Sequence, residues 1–128
     1  WVGVLILWRW SVFVVAGNAF RVMPLPYSYK SLEPHLGRET VEIHHDRIYR
    51  NHVETLNEML KTIDRLEESS LEEIMLDAYE WNKPLYKNAA ETWNHDFYFK
   101  SMTSAYFPPS KALLQRIEEN FGSFLKFK

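Results

Sequence analysis

His44 and His95 are the residues of this chain best suited to chemistry. His44 lies in RETVEIHHDRIYRNHVETLN (38–57) and His95 in NAAETWNHDFYF (88–99), segments in which apolar residues recur at helical spacing. Imidazole is the commonest metal ligand among side chains, and it suits iron and its first-row neighbours. Two imidazoles supply only half of a coordination sphere. The chain has no cysteine, so any further ligand is Asp, Glu, His or water, and a disulfide framework and a thiol nucleophile are both excluded.

The elements that must position these histidines are helical. Residues 38–66 contain neither Pro nor Gly, and Val41, His44, Ile48, His52, Leu56 and Leu60 recur at three- and four-residue steps. A shorter helical run, 71–79, leads through Asn82 and Pro84 into a second main helix over about 87–103. A third spans 110–120 and stops at Gly122, after which FGSFLKFK opens another element. No segment alternates with period two, so the chain reads as all-α, a long antiparallel α-hairpin with appendages. Residues four apart stack along a helix. His44, Ile48 and His52 therefore form one column toward the core, and Glu91, His95 and Phe99 share a face of the partner helix. In an antiparallel hairpin the two imidazoles enter one interhelical space, as metal sites in bundles require. The competing reading of each is a hydrogen-bonded core histidine. His35 and His45 have no such geometry and read as turn and surface residues.

Composition narrows the alternatives. The chain has 128 residues, 46% of them hydrophobic, and a formal net charge of -2 with both signs interspersed. That suits one small globular domain and offers no basic stripe for nucleic acid. It opens on Trp1 rather than Met, which predicts that residues precede it. Residues 1–20 are almost wholly apolar, broken by Arg9; a helix over 2–16 would reach about 22 Å at roughly 1.5 Å per residue. A bilayer core needs about 30 Å. Residues 1–22 thus read as a targeting segment or non-native extension without a stable membrane span, with an anchor or docking helix as alternatives. Pro24 and Pro26 mark an extended lead-in, and Pro34 and Gly37 a turn before the first helix, so the domain should start near Met23.

Three blocks carry a family resemblance. MPLPYSYKSLEPHLGRETVEIHH (23–45) resembles the opening of the iron/manganese superoxide dismutases, with its Leu-Pro-Tyr lead-in, its Pro-His turn and a helix bearing the first metal histidine. NAAETWNHDFYFKSM (88–102) resembles the family's second signature, and IEENFGSFLKFK (117–128) the start of its second domain. EWNKPLYKNAAETWNHDFYF (80–99) looks most like the plastid branch of iron enzymes. The resemblance divides the chain into residues 1–22, an N-terminal α-hairpin domain over 23–106, and the first helices of a truncated α/β domain over 107–128.

The resemblance implies roles for individual residues. His44 and His95 stand where the first two metal ligands stand, for iron or, alternatively, manganese. An Asp and a third His from the C-terminal domain would complete the set, together with a solvent ligand. Superoxide would be the substrate, a homodimer the full-length assembly, and a plastid or mitochondrion the compartment. Several positions depart from the family pattern. His52 occupies the place of a gateway Tyr and Ile48 that of another His. A phenol near pKa 10 stays neutral and donates, whereas an imidazole titrates near 6.5. Glu91 stands where iron-type enzymes carry a Gln that bonds the solvent ligand and tunes the metal. An ionised Glu cannot donate that bond; a Glu protonated by burial can. Phe99 replaces a Trp in the pocket wall, while Trp93, Asn94 and Tyr98 keep the pattern. Two functions follow as expectations: an N-terminal portion of a superoxide dismutase, inactive alone, or a non-catalytic structural or assembly subunit on the same scaffold.

Overall fold

The structure, a computed structural model, describes residues 20–128; the expected targeting segment lies almost entirely outside them. Six α-helices follow in order: α1 (Arg38–Ile43), α2 (Arg50–Leu60), α3 (Leu71–Trp81), α4 (Lys83–Lys100), α5 (Lys111–Phe121) and α6 (Phe124–Phe127). A π-helical segment, His44–Tyr49, joins α1 to α2, and a 3₁₀ turn, Asp64–Leu66, precedes α3. No strand occurs among the described residues, and no helix there is long and apolar enough to cross a membrane. The expected hairpin is present: α2 and the π segment pack on α4, which also packs on α3. Contacts run from His44 with Phe99 to Met59 with Asn88, so the two long helices are antiparallel.

Local chemistry sets the helix ends. Ser70 caps α3 reciprocally: its Oγ accepts from the Glu73 N–H at 3.3 Å, and the Glu73 carboxylate accepts from the Ser70 N–H at 2.8 Å. Asn82 alone separates α3 from α4, and its Oδ1 accepts from the Leu85 N–H at 3.1 Å. Pro84 therefore falls in the first turn of α4, where its missing N–H would have no intrahelical partner. That is why α4 begins at Lys83, four residues before the sequence pattern places it. Gly122 ends α5 with a φ of 78°, a left-handed conformation open to glycine.

The core forms where these faces meet. Leu56 of α2, Ile74 and Ala78 of α3, and Leu85 and Ala89 of α4 are fully buried in one cluster with Val41, Val53 and Phe99. The predicted column His44–Ile48–His52 is not the buried one. Ile48 is 46% exposed, whereas His45 and Tyr49 are buried beside Val41 and Val53. The cause is the π segment, in which the Arg50 N–H reaches the His45 carbonyl five residues back. This wider turn carries Val41, His45, Tyr49 and Val53, each four apart, down one inward stripe. His45 is thus a core residue rather than the surface residue expected, while His35 is exposed in the turn as expected.

An extended strap from Phe20 lies against the hairpin, its polar groups paired by side chains. Asn57 pairs with both backbone groups of Phe20 at 2.8 Å. The Met23 N–H donates to the Tyr49 hydroxyl at 3.3 Å, and His45 Nε2 donates to the Met23 carbonyl at 2.8 Å. His45 Nδ1 meets the Asp46 carboxylate at 2.6 Å, and the Tyr29 hydroxyl donates to its other oxygen at 2.6 Å. These two bonds hold the Asp46 carboxyl below the usual carboxylate range. Both nitrogens of the buried His45 thus have an acceptor within hydrogen-bond distance. Phe20 is itself buried against the hairpin.

Two outcomes follow from this packing. Ser70→Ala should destabilise the chain by about 1 kcal/mol, the usual cost of losing an N-cap, measured by urea denaturation. Burial pushes the Tyr49 hydroxyl up to about 12. A group whose folded pKa exceeds its unfolded value of 10 gives stability that is complete below pH 10 and lost as pH rises through about 12. Tyr49→Phe should flatten that alkaline limb in melts run across the range, and cost about 1 kcal/mol at neutral pH through the unpaired Met23 N–H.

Candidate metal centre

His44 and His95 come together between the π segment and α4. Their ring centroids lie 4.9 Å apart at an interplanar angle of 82°. His95 is buried, and its Nδ1 donates to the Glu91 carbonyl, one turn back on α4, at 2.7 Å. With its proton fixed on Nδ1, the ring keeps the Nε2 lone pair for a ligand, the orienting device common to metal-bound histidines. His44 has ring contacts but no hydrogen-bond partner among the described residues. Burial, aided by the nearby rings of His95 and His45, lowers its pKa and favours the neutral imidazole that can ligate.

Aromatic rings enclose the pair. Phe99 packs against His44 at 5.1 Å and His45 at 5.2 Å, and Tyr98 covers His44 at 5.2 Å. Tyr49 stacks parallel to His95, 5.6 Å away. His52 reaches the same cluster from α2, its ring 5.5 Å from that of His95. Its Nδ1 is hydrogen-bonded to Asn88 Oδ1 at 3.0 Å.

Other expected site residues lie differently. Ile48 faces outward, for the helical reason given above. Trp93 is turned toward α3, where its indole N–H donates to the Glu72 carboxylate at 2.7 Å and its ring stacks on Phe97 at 5.5 Å. Glu91 touches His95 chiefly through its backbone carbonyl; its carboxylate stands 3.7 Å from His95 Nδ1. The residues that sequence reasoning passed over are Tyr49 and His45. Their signal was present, because 41, 45, 49 and 53 form a four-residue repeat as regular as 44, 48 and 52.

The donor set fits two ligands of a metal centre: two imidazoles in contact, one with its proton tied off and one without any hydrogen bond. Among the described residues no group of three or more His, Asp or Glu is arranged to hold an ion. Among the described residues, then, two imidazoles lie together where a firm site needs further ligands.

The model of the alpha-hairpin domain of iron/manganese superoxide dismutases matches residues 19–103. An iron superoxide dismutase of Entamoeba histolytica is 37% identical over 110 residues, covering 86% of this chain and 56% of that protein. The chloroplastic iron superoxide dismutase 2 of Arabidopsis thaliana is 39% identical over 120 residues, 91% of this chain and 38% of that protein. A Mn/Fe superoxide dismutase of Rickettsia bellii is 38% identical over 109 residues, 83% and 52% of the two chains. The chain therefore spans about half the length, or less, of these relatives. With its helical hairpin, its paired histidines and a match over most of its length, it belongs to the iron/manganese superoxide dismutase family.

Proposed function

We propose that this chain is the metal-binding N-terminal portion of a superoxide dismutase, the enzyme that disproportionates superoxide into oxygen and hydrogen peroxide. The observation that carries the reading is the His44–His95 pair, in which the Glu91 carbonyl fixes the proton of His95 on Nδ1. His44 and His95 would hold iron, or manganese as the alternative, through neutral imidazole nitrogens, with an Asp and a third His of the full-length protein completing the set. When bound, the metal supplies a one-electron couple between its 2+ and 3+ states, which suits a substrate oxidised in one half-reaction and reduced in the other. Phe99, Tyr98 and Tyr49 limit water around the two rings. His52 occupies the gateway and the Glu91 side chain the tuning position, both substituted relative to the family.

A homodimer of the full-length protein and a plastid location complete the proposal. The compartment is supported by chloroplastic relatives from Arabidopsis and rice. A mitochondrial location is the alternative. A second reading, a non-catalytic structural or assembly subunit, draws support from the outward Ile48 and from the substitutions at His52 and Glu91.

Metal analysis and superoxide turnover of the full-length protein separate these readings. His95→Ala should cut bound iron by more than about tenfold, because even changes in groups that only orient a ligand cost about 10–100-fold in affinity. Unchanged metal content in that variant would remove His95 from the ligand set. Metal bound without turnover in the unsubstituted protein would favour the scaffold reading.

A further inference from the structure

We propose that Asn88 is a positioning residue for His52: it holds the neutral ring in the Nδ1–H form, leaving Nε2 as a hydrogen-bond acceptor beside His95. The polarity of the contact follows from what surrounds the amide. Asn88 Nδ2 lies 2.9 Å from the Pro84 carbonyl and 3.8 Å from Met59 Sδ, and both of these can only accept. Reversing the amide would set its oxygen against the Pro84 oxygen with no proton between them. The nitrogen therefore faces Pro84, and Oδ1 faces His52 Nδ1 at 3.0 Å. An amide oxygen cannot donate, so the proton of this bond belongs to the imidazole. A neutral ring has one proton, which makes Nε2 the lone-pair atom.

This arrangement reverses the hydrogen-bonding sense of the position. A phenol, the side chain that the family resemblance places there, offers an O–H to its partner. His52 offers a lone pair instead, on a ring 5.5 Å from that of the candidate ligand His95. The partner that fits is a hydroxylic donor, such as water or a protonated peroxide, rather than a bare anion. This consequence for the pocket rests on the dismutase reading; the assignment of the proton does not. Asn88 lies on α4 seven residues before His95, so the helix that carries the candidate ligand also fixes the proton of the gateway ring. Its other anchor, the Pro84 carbonyl, is in the first turn of the same helix.

The test is the tautomer of His52, read from two-bond proton–nitrogen correlations in the 15N-labelled full-length protein. The sample is prepared without metal, so that lines stay narrow, and is held above the imidazole titration range. His52 should show a protonated Nδ1 and a bare Nε2. Asn88 Oδ1 is the acceptor on which that pattern rests. Asn88→Leu removes it and should shift the population toward Nε2–H by about threefold or more, the scale of one hydrogen bond. The His95 signals, held by the Glu91 carbonyl, should stay Nδ1–H in every variant and report that the site is folded. A protonated Nε2 on His52 in the unsubstituted protein would overturn the assignment without recourse to any variant. An unchanged ratio in a folded Asn88→Leu protein would remove Asn88 as its cause. The readout involves no turnover, so it is independent of whether the full-length protein dismutes superoxide.

Discussion

The π-helical turn at His44–Tyr49 is the constraint on which the site depends. A helix of 3.6 residues per turn drifts by about 40° for each four-residue step, so a stripe with strict spacing of four wanders around its surface. The i to i+5 closure at His45 and Arg50 offsets that drift where the first helix crosses α4. His45 and Tyr49 thereby join Val41 and Val53 in the core, while His44 keeps contact with His95 and Phe99. Ile48, which an unbroken α-helix would align with His44, is turned to the outside.

The rotation has a polar consequence that the strap resolves. Bringing a histidine and a tyrosine into an apolar core costs several kcal/mol unless their polar atoms find partners. Met23 supplies a partner for each: its carbonyl accepts from His45, and its N–H donates to Tyr49. Asp46 meets the other nitrogen of His45, and the Tyr29 hydroxyl donates to the second oxygen of that carboxylate. The Tyr27 hydroxyl donates to the Phe99 carbonyl at 3.0 Å, which ties the strap to the far end of α4. Strap, π segment and pocket wall are therefore one hydrogen-bonded unit, and disturbing any part moves Phe99 against the candidate ligands.

Within the family, the chain combines a kept pair with altered surroundings. The two histidines lie ring to ring, and the carbonyl that orients His95 comes from Glu91, the residue whose side chain differs from the iron-type pattern that the resemblance implies. A backbone oxygen is indifferent to that side chain, so replacing the family's Gln by Glu91 leaves the orienting bond intact. The change at His52 is accommodated in another way, since Asn88 gives the imidazole a fixed partner on the opposite helix. The first feature keeps the orienting bond of His95, and the second gives the His52 ring a fixed partner.

Sequence alone determined the helical class, the hairpin, the order of the helices and the two candidate ligands. The helices follow from local rules, apolar spacing and the positions of Pro and Gly, and the two histidines from their place in segments that resemble the family's signatures. It also set Phe99 on the same helix face as His95 through the four-residue step between them. What it left open was which of two equally regular stripes, 44–48–52 or 41–45–49–53, would face inward. An α-helical reading cannot separate them, because the choice depends on one widened turn stabilised by groups distant in sequence. Met23 closes on His45 and Tyr49 only once the strap has been laid across the hairpin. The same holds for Trp93, whose outward face was decided by Glu72 on α3, and for the proton of His52, decided by an amide whose orientation comes from the carbonyl of Pro84. Pairings between elements are set by packing, and only the folded chain brings their partners together.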